Sequence, residues 1–145
     1  MRIAEHGVRY LLINDATVAA LVDTRVHPQR APQGGALPYE VFRRIDGDHQ
    51  RHMTAASGLV KVIVQLDSVS ESWEEVKAMA EANREALDGY AGTLSINNEN
   101  LVVQEISLAG DRDGYIPPAT AEDNGKHVIT QDFEVWHEES VPTFV

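Results

Sequence analysis

Asp46, Asp48, His49 and His52 lie in one polar stretch, DGDHQRH, whose carboxylates and imidazoles are donor types that hold zinc or manganese. A site there would support metal-dependent or acid–base catalysis. The stretch reads instead as the polar, turn-rich tip of a hairpin spanning Asp46–Ser57, and it lacks the helical His-x-x-x-His spacing of rigid centres. No metal ligand is assigned on this basis, and no cofactor is expected. Asp46-Gly47-Asp48 opens like a calcium loop, but the later ligands and the closing glutamate are missing at the required spacing. His127 and His137 stand at opposite ends of one expected strand, roughly 30 Å apart at strand rise, too far to share an ion within one chain.

Nucleophilic and phosphate chemistry find no better footing. The chain has no Gly-x-Ser-x-Gly elbow, and Gly34-Gly35 is not followed by the lysine and helix of a phosphate loop. No catalytic residue is assigned. The pairs Glu74-Glu75 and Glu138-Glu139 read as solvated, and Asp111-Arg112-Asp113-Gly114 as a hairpin turn. Arg30, Arg43, Arg44 and Arg51 form either a local basic patch or, as the simpler reading, partners for nearby carboxylates.

The elements that would position these side chains centre on Gly58–Tyr90, a strand running into a helix. Val60, Val62, Val64 and Leu66 alternate onto one strand face, and Leu59, Lys61, Ile63, Gln65 and Asp67 onto a mixed opposite face. Trp73, Val76, Ala80 and Leu87 then recur at helical spacing, with Met79 and Ala86 widening the stripe. Ser72 and Glu75 have capping-box spacing, and Gly89 suits a left-handed C-cap. Upstream, residues 3–13 read as a helix with Ile3, Tyr10 and Leu11 on one side, and Asp15 caps a short helix over Thr17–Val22. Arg25–Arg30 reads as an extended edge segment in a proline-rich stretch, and Tyr39–Ile45 as a strand. Thr93–Ile96, Leu101–Leu108 (Val102, Ile106 and Leu108 on one face) and His127–His137 supply the remaining strands, with turns at Asn97-Asn98 and Gly110–Gly114 and a loop over Tyr115–Lys126. The order predicts one α+β domain over residues 1–145: a largely antiparallel sheet of four to five strands with helices packed on one face.

Composition narrows the function further. The 145-residue chain has no cysteine, which excludes disulfides, thiolate metal sites and a cysteine nucleophile. Its N-terminal residues lack the apolar core and cleavage site of a signal peptide, and no apolar run is long enough to cross a bilayer, so no membrane partner is expected. A net charge of −11 argues against broad binding to DNA phosphates.

Short motifs in a fixed order carry a resemblance. Arg25-Val26-His27-Pro28, Ala31-Pro32-Gln33-Gly34 and Leu37-Pro38-Tyr39 are followed by Gly58-Leu59-Val60, Val64-Gln65-Leu66-Asp67, Ala86-Leu87-Asp88-Gly89 and Gln131-Asp132-Phe133. In that order and spacing, nearly the whole chain is similar to the tail-completion proteins of siphophages and prophages, which include tail terminators and head–tail joining proteins. The resemblance implies a non-enzymatic virion protein of the tail or neck, assembled in the host cytoplasm. It would cap the head-proximal end of the tail tube as a ring, commonly a hexamer. Its partners would be its own copies, the tail tube protein and a head-completion or connector protein, with double-stranded DNA passing through untethered. A closed ring needs two different contact surfaces on each protomer. The candidates are Arg25, His27 and Gln33 in the extended segment, Lys61, Gln65 and Asp67 on the mixed strand face, and Phe144 in the apolar tail. Two other readings of the residues stay open: a small metal-dependent or acid–base enzyme working from residues 46–52, and a monomeric ligand-binding module.

Overall fold

Alternation places Val60, Val62, Val64 and Leu66 on one side of a strand, and in the computed structural model all four are fully buried. The structure describes residues 2–121 and 123–144. The valine strand, β3 (Ala56–Ser70), is paired along both edges, by β2 (Tyr39–Arg51) and β6 (Lys126–Glu138). β1 (Val26–Pro28) lies outside β2, and β5 (Glu99–Ile116) and β4 (Gly92–Ile96) lie outside β6, giving the order β1-β2-β3-β6-β5-β4. The sheet curls into a half-barrel. Its inner face forms the main core with residues of α1 (Ala4–Ile13), α2 (Ala16–Val22) and α3 (Trp73–Leu87), and Val76, Ala80 and Ile129 form a smaller cluster.

The fold is mixed α+β, but the sheet has six strands rather than four to five. The added strand is β1, which ends in Pro28 and pairs parallel to β2 while the other pairings are antiparallel. Two expected turns are strand instead. β2 and β3 run through most of Asp46–Ser57, leaving only residues 52–55 as the tip. Asp111-Arg112-Asp113-Gly114 continues β5, in register with Gln131 to Val128 of β6. A long partner strand outweighs a local turn signature here, because each ladder pair satisfies backbone groups that a turn would leave to solvent. Arg112 and Lys77 add exposed ion pairs to Asp132 (3.0 Å) and Asp113 (2.8 Å), each worth at most about 1 kcal/mol. The chain reverses after Ile116, where Asp123 accepts from the Gly125 and Ala119 amides, and these bonds hold its carboxyl below the usual range. The Asn97-Asn98 turn is present, with both residues at positive φ as a tight hairpin requires.

A register shift between Val103 and Glu105 changes which β5 residues face inward. Strict alternation puts Val102 with Ile106; the shift instead turns Leu101, Val103 and Ile106 into the core and leaves Val102 half-buried.

The helices show a similar offset. α1 buries Ala4, Gly7, Val8 and Leu12 rather than Ile3, Tyr10 and Leu11. Gly7 permits this packing: a Cβ there would come within 2.7 Å of the Leu101 side chain. In α3 the stripe is Val76, Met79, Ala80, Ala82, Asn83 and Leu87, while Trp73 is 55% exposed. Burial contributes roughly 1.5–3 kcal/mol for each large apolar residue, against about 1 kcal/mol for a cap, so packing holds the helix and the cap sets its start. Ser72 accepts from the Glu75 amide (3.3 Å), but Glu75 does not close a reciprocal box. Its carboxylate accepts from the Ser70 hydroxyl (2.6 Å), and Ser70 Oγ accepts from the Ser72 amide (3.1 Å). Gly89 takes the left-handed φ expected after the helix, yet its amide donates to Ile106 O, tying the helix end to β5.

Candidate assembly interface

Helices cover most of the inner sheet face, and the outer face, the two sheet ends and the tail beyond β6 are among the surfaces open to contact with other molecules. Cross-strand register decides which outer side chains meet. His27 aligns with Val41, Val41 with Asp67, Asp67 with Thr130 and Thr130 with Arg112, forming one row across five strands. Thr130 Oγ1 donates to Asp67 Oδ1 (2.6 Å), and the His27 ring lies 6.3 Å from the Tyr39 ring. In the next row Arg43 Nε donates to Gln65 Oε1 (2.7 Å), and Gln65 is only 7% exposed. Further along, Lys61 Nζ lies 6.0 Å over the Trp136 ring. The structure therefore gathers His27, Lys61, Gln65 and Asp67 on one hydrogen-bonded, mixed-charge face.

The other candidate residues lie apart from that group. Arg25 Nε donates to Pro38 O (2.8 Å), anchoring the loop between β1 and β2. Gln33 is exposed in that loop, inside the Pro32–Gly35 turn. Phe144, in the irregular tail beyond β6, is 94% exposed. Sequence reading missed an open groove of about 420 Å³ beside α1, where Tyr10, Ile13 and Phe42 meet Arg9 and Arg43. Its walls come from elements far apart in the chain, so no local pattern announces it.

The residues weighed as metal ligands are dispersed. Asp46 and Asp48 are exposed on β2, His52 sits in the hairpin tip, and His49 Nδ1 pairs with both oxygens of Glu139 (2.7 and 2.8 Å). Among the described residues no group of three or more histidine, cysteine, aspartate or glutamate side chains is placed to hold a metal ion. No helix among them is long and apolar enough to cross a membrane. Of the four arginines weighed as a patch, Arg44 pairs with Glu5 (3.3 Å) and Arg43 with Gln65.

Comparison with known proteins bears on the whole chain. Residues 7–138 match the family described as tail completion protein gp17. The chain belongs to that family. It is thus a structural protein of a phage-type virion tail, as the order of its short motifs implies. Among solved structures, a chain from the virion of a native gene transfer agent particle has a similar fold, with TM-score 0.65 and 20% identity. The match covers 90% of this chain and 91% of that one. A search of curated proteins gives no match.

Inside this tail completion protein lies a polar cluster that the sequence reading also missed. Glu40 faces the core between β2 and β3, opposite Ser68, and is fully buried. Asn83 of α3 donates to Ser68 Oγ (3.0 Å) and Gln131 Oε1 (3.3 Å), and Gln131 donates to Ala80 O (3.0 Å). Burial pushes the Glu40 carboxyl up to about 8. Asn83 and Ser68 favour its charged form, but neither Glu40 oxygen has a partner at hydrogen-bonding geometry. Asn83 Oδ1 also lacks a donor, and a protonated carboxyl carries an O–H of the kind such an acceptor takes. The signal was present in the sequence: Glu40 shares its strand face with Phe42, and Asn83 sits between Ala80 and Leu87 on the helical stripe.

Proposed function

We propose that copies of this chain close into a ring, a hexamer, on the head-proximal end of the tail tube. The ring stops tube growth and presents the surface that joins the filled head. The family match over residues 7–138 carries this reading. Two further features support it. The protomer has chemically different surfaces, a mixed-charge, hydrogen-bonded outer sheet face and sheet ends that carry exposed aromatic and apolar side chains, as a contact that repeats head to tail around a ring requires. The charge of −11 per chain becomes about −66 for six copies, so a lumen sharing that charge lets double-stranded DNA pass without adhesion.

The test is to polymerise the tail tube protein with and without this chain and to measure tube lengths by electron microscopy. Light scattering across concentration runs alongside. The reading expects rings in projection and tubes whose growth ends where rings bind. Unchanged tube growth with a chain that stays monomeric would overturn it.

A further inference from the structure

Apart from Tyr10 on α1 and Ile45 in mid-β2, the exposed large apolar side chains among the described residues lie toward the two ends of the strands. At the end where β6 begins, Trp73, Tyr115 and Ile116 are about half exposed. Trp73 and Tyr115 line a groove of about 340 Å³ together with Val76, His127 and Ile129. The Tyr115 and His127 rings lie 5.1 Å apart, and Lys77 Nζ stands 5.6 Å from the Trp73 ring. At the end where β6 stops, the chain leaves the sheet as Ser140-Val141-Pro142-Thr143-Phe144, without regular structure. Val141 and Phe144 are exposed.

These two features suit each other. A proline-containing apolar segment is what aromatic-lined grooves accept, because proline fixes its own φ and lessens the freedom lost on docking. Phe144 would stack against the Trp73 and Tyr115 rings, and no side chain of the segment carries a charge to repel an acidic chain. They cannot meet within one molecule. His127 and Glu138 are separated by roughly 35 Å at strand rise, whereas the segment from Glu138 to Phe144 reaches at most roughly 20 Å. We propose that the Val141–Phe144 segment of one copy seats in the Trp73–Tyr115–His127 groove of the next. Each copy then gives a tail and receives one, a contact of constant polarity that can propagate around a ring. This contact rests on the ring reading above and specifies which surfaces make it.

The absence of cysteine makes a direct test possible. Thr143→Cys and Ile116→Cys chains are prepared separately, mixed under mild oxidation and analysed on non-reducing gels and by mass spectrometry. Both positions are exposed, and thermal melts matching the wild type are required of both variants before mixing. The contact predicts a disulfide between the two variants in the mixture, little cross-linking of either alone, and lower yield when excess peptide of residues 138–144 competes. A Phe144→Asp chain should self-associate roughly tenfold or more weakly, since a lost buried aromatic costs at least the equivalent 1.4 kcal/mol. If wild-type protein sizes as a multimer yet the mixture does not cross-link, this contact is wrong and the ring stands. If Ile116→Cys cross-links only to the tail tube protein, the groove serves that partner and the proposal fails. A wild type that remains monomeric and leaves tube growth unaltered removes both readings.

Discussion

Replacing Glu40 by glutamine separates the cost of one buried charge from everything else that titrates. The folded carboxyl titrates near 8 against an ordinary 4.5, because burial penalises the anion. A raised folded value means the native state holds a proton that the unfolded chain has released. Stability from Glu40 is therefore fully present below about pH 4.5 and is lost as pH rises toward about 8. The slope approaches about 1.4 kcal/mol per pH unit, so between about pH 5 and pH 8 the wild type loses on the order of 3 kcal/mol through this group. That is a large share of the roughly 5–15 kcal/mol typical of a whole domain.

Glutamine keeps the shape and a donor for Asn83 but cannot ionise. The stability of Glu40→Gln relative to wild type should rise by about 3 kcal/mol across that interval. Urea unfolding followed by tryptophan fluorescence, with both proteins at equal concentration, measures it. Taking the difference removes the histidines. Among them, His137 is held below its ordinary value mainly by burial and so contributes with the opposite sign, losing stability as pH falls. A wild-type-to-variant difference that stays level from about pH 5 to pH 8 would refute the argument. It would mean that the carboxylate is solvated or paired in the native state.

Leu87, fully buried at the end of α3, should cost about 2–5 kcal/mol on truncation to alanine, read as a drop in the urea midpoint. Trp73 has helical spacing but half its surface in solvent, so Trp73→Ala should cost less than about 1 kcal/mol in the dissociated chain, not the roughly 3–5 kcal/mol of a core tryptophan. Ser72→Ala removes the acceptor for the Glu75 amide and should lower stability by about 1 kcal/mol in thermal or urea unfolding. Asp46→Ala and Asp48→Ala, on exposed β2 positions, should stay within about 0.5 kcal/mol of wild type. A larger loss in either would give the 46–52 stretch a structural role that its exposure denies.

Short-range physics was legible in the sequence. Period-two alternation marked the inward face of β3, and a serine ahead of the helical stripe marked the start of α3. Asn97-Asn98 marked a turn because its backbone demands positive φ. The order of short motifs also pointed to the tail completion family. Only the tertiary structure decided the rest, and in each case the reason is a partner distant in sequence. Pairing with β6 keeps Asp111–Gly114 extended, and the shift between Val103 and Glu105 reverses the parity that alternation assumes. The close approach of Gly7 to Leu101 sets which face of α1 is buried. Glu40 comes to lie against Ser68 and Asn83 because two strands and a helix converge there, and no local pattern encodes their meeting. The candidate contact surfaces follow the same rule: a row from His27 to Arg112 and a groove from Trp73 to His127 exist only after the sheet has assembled.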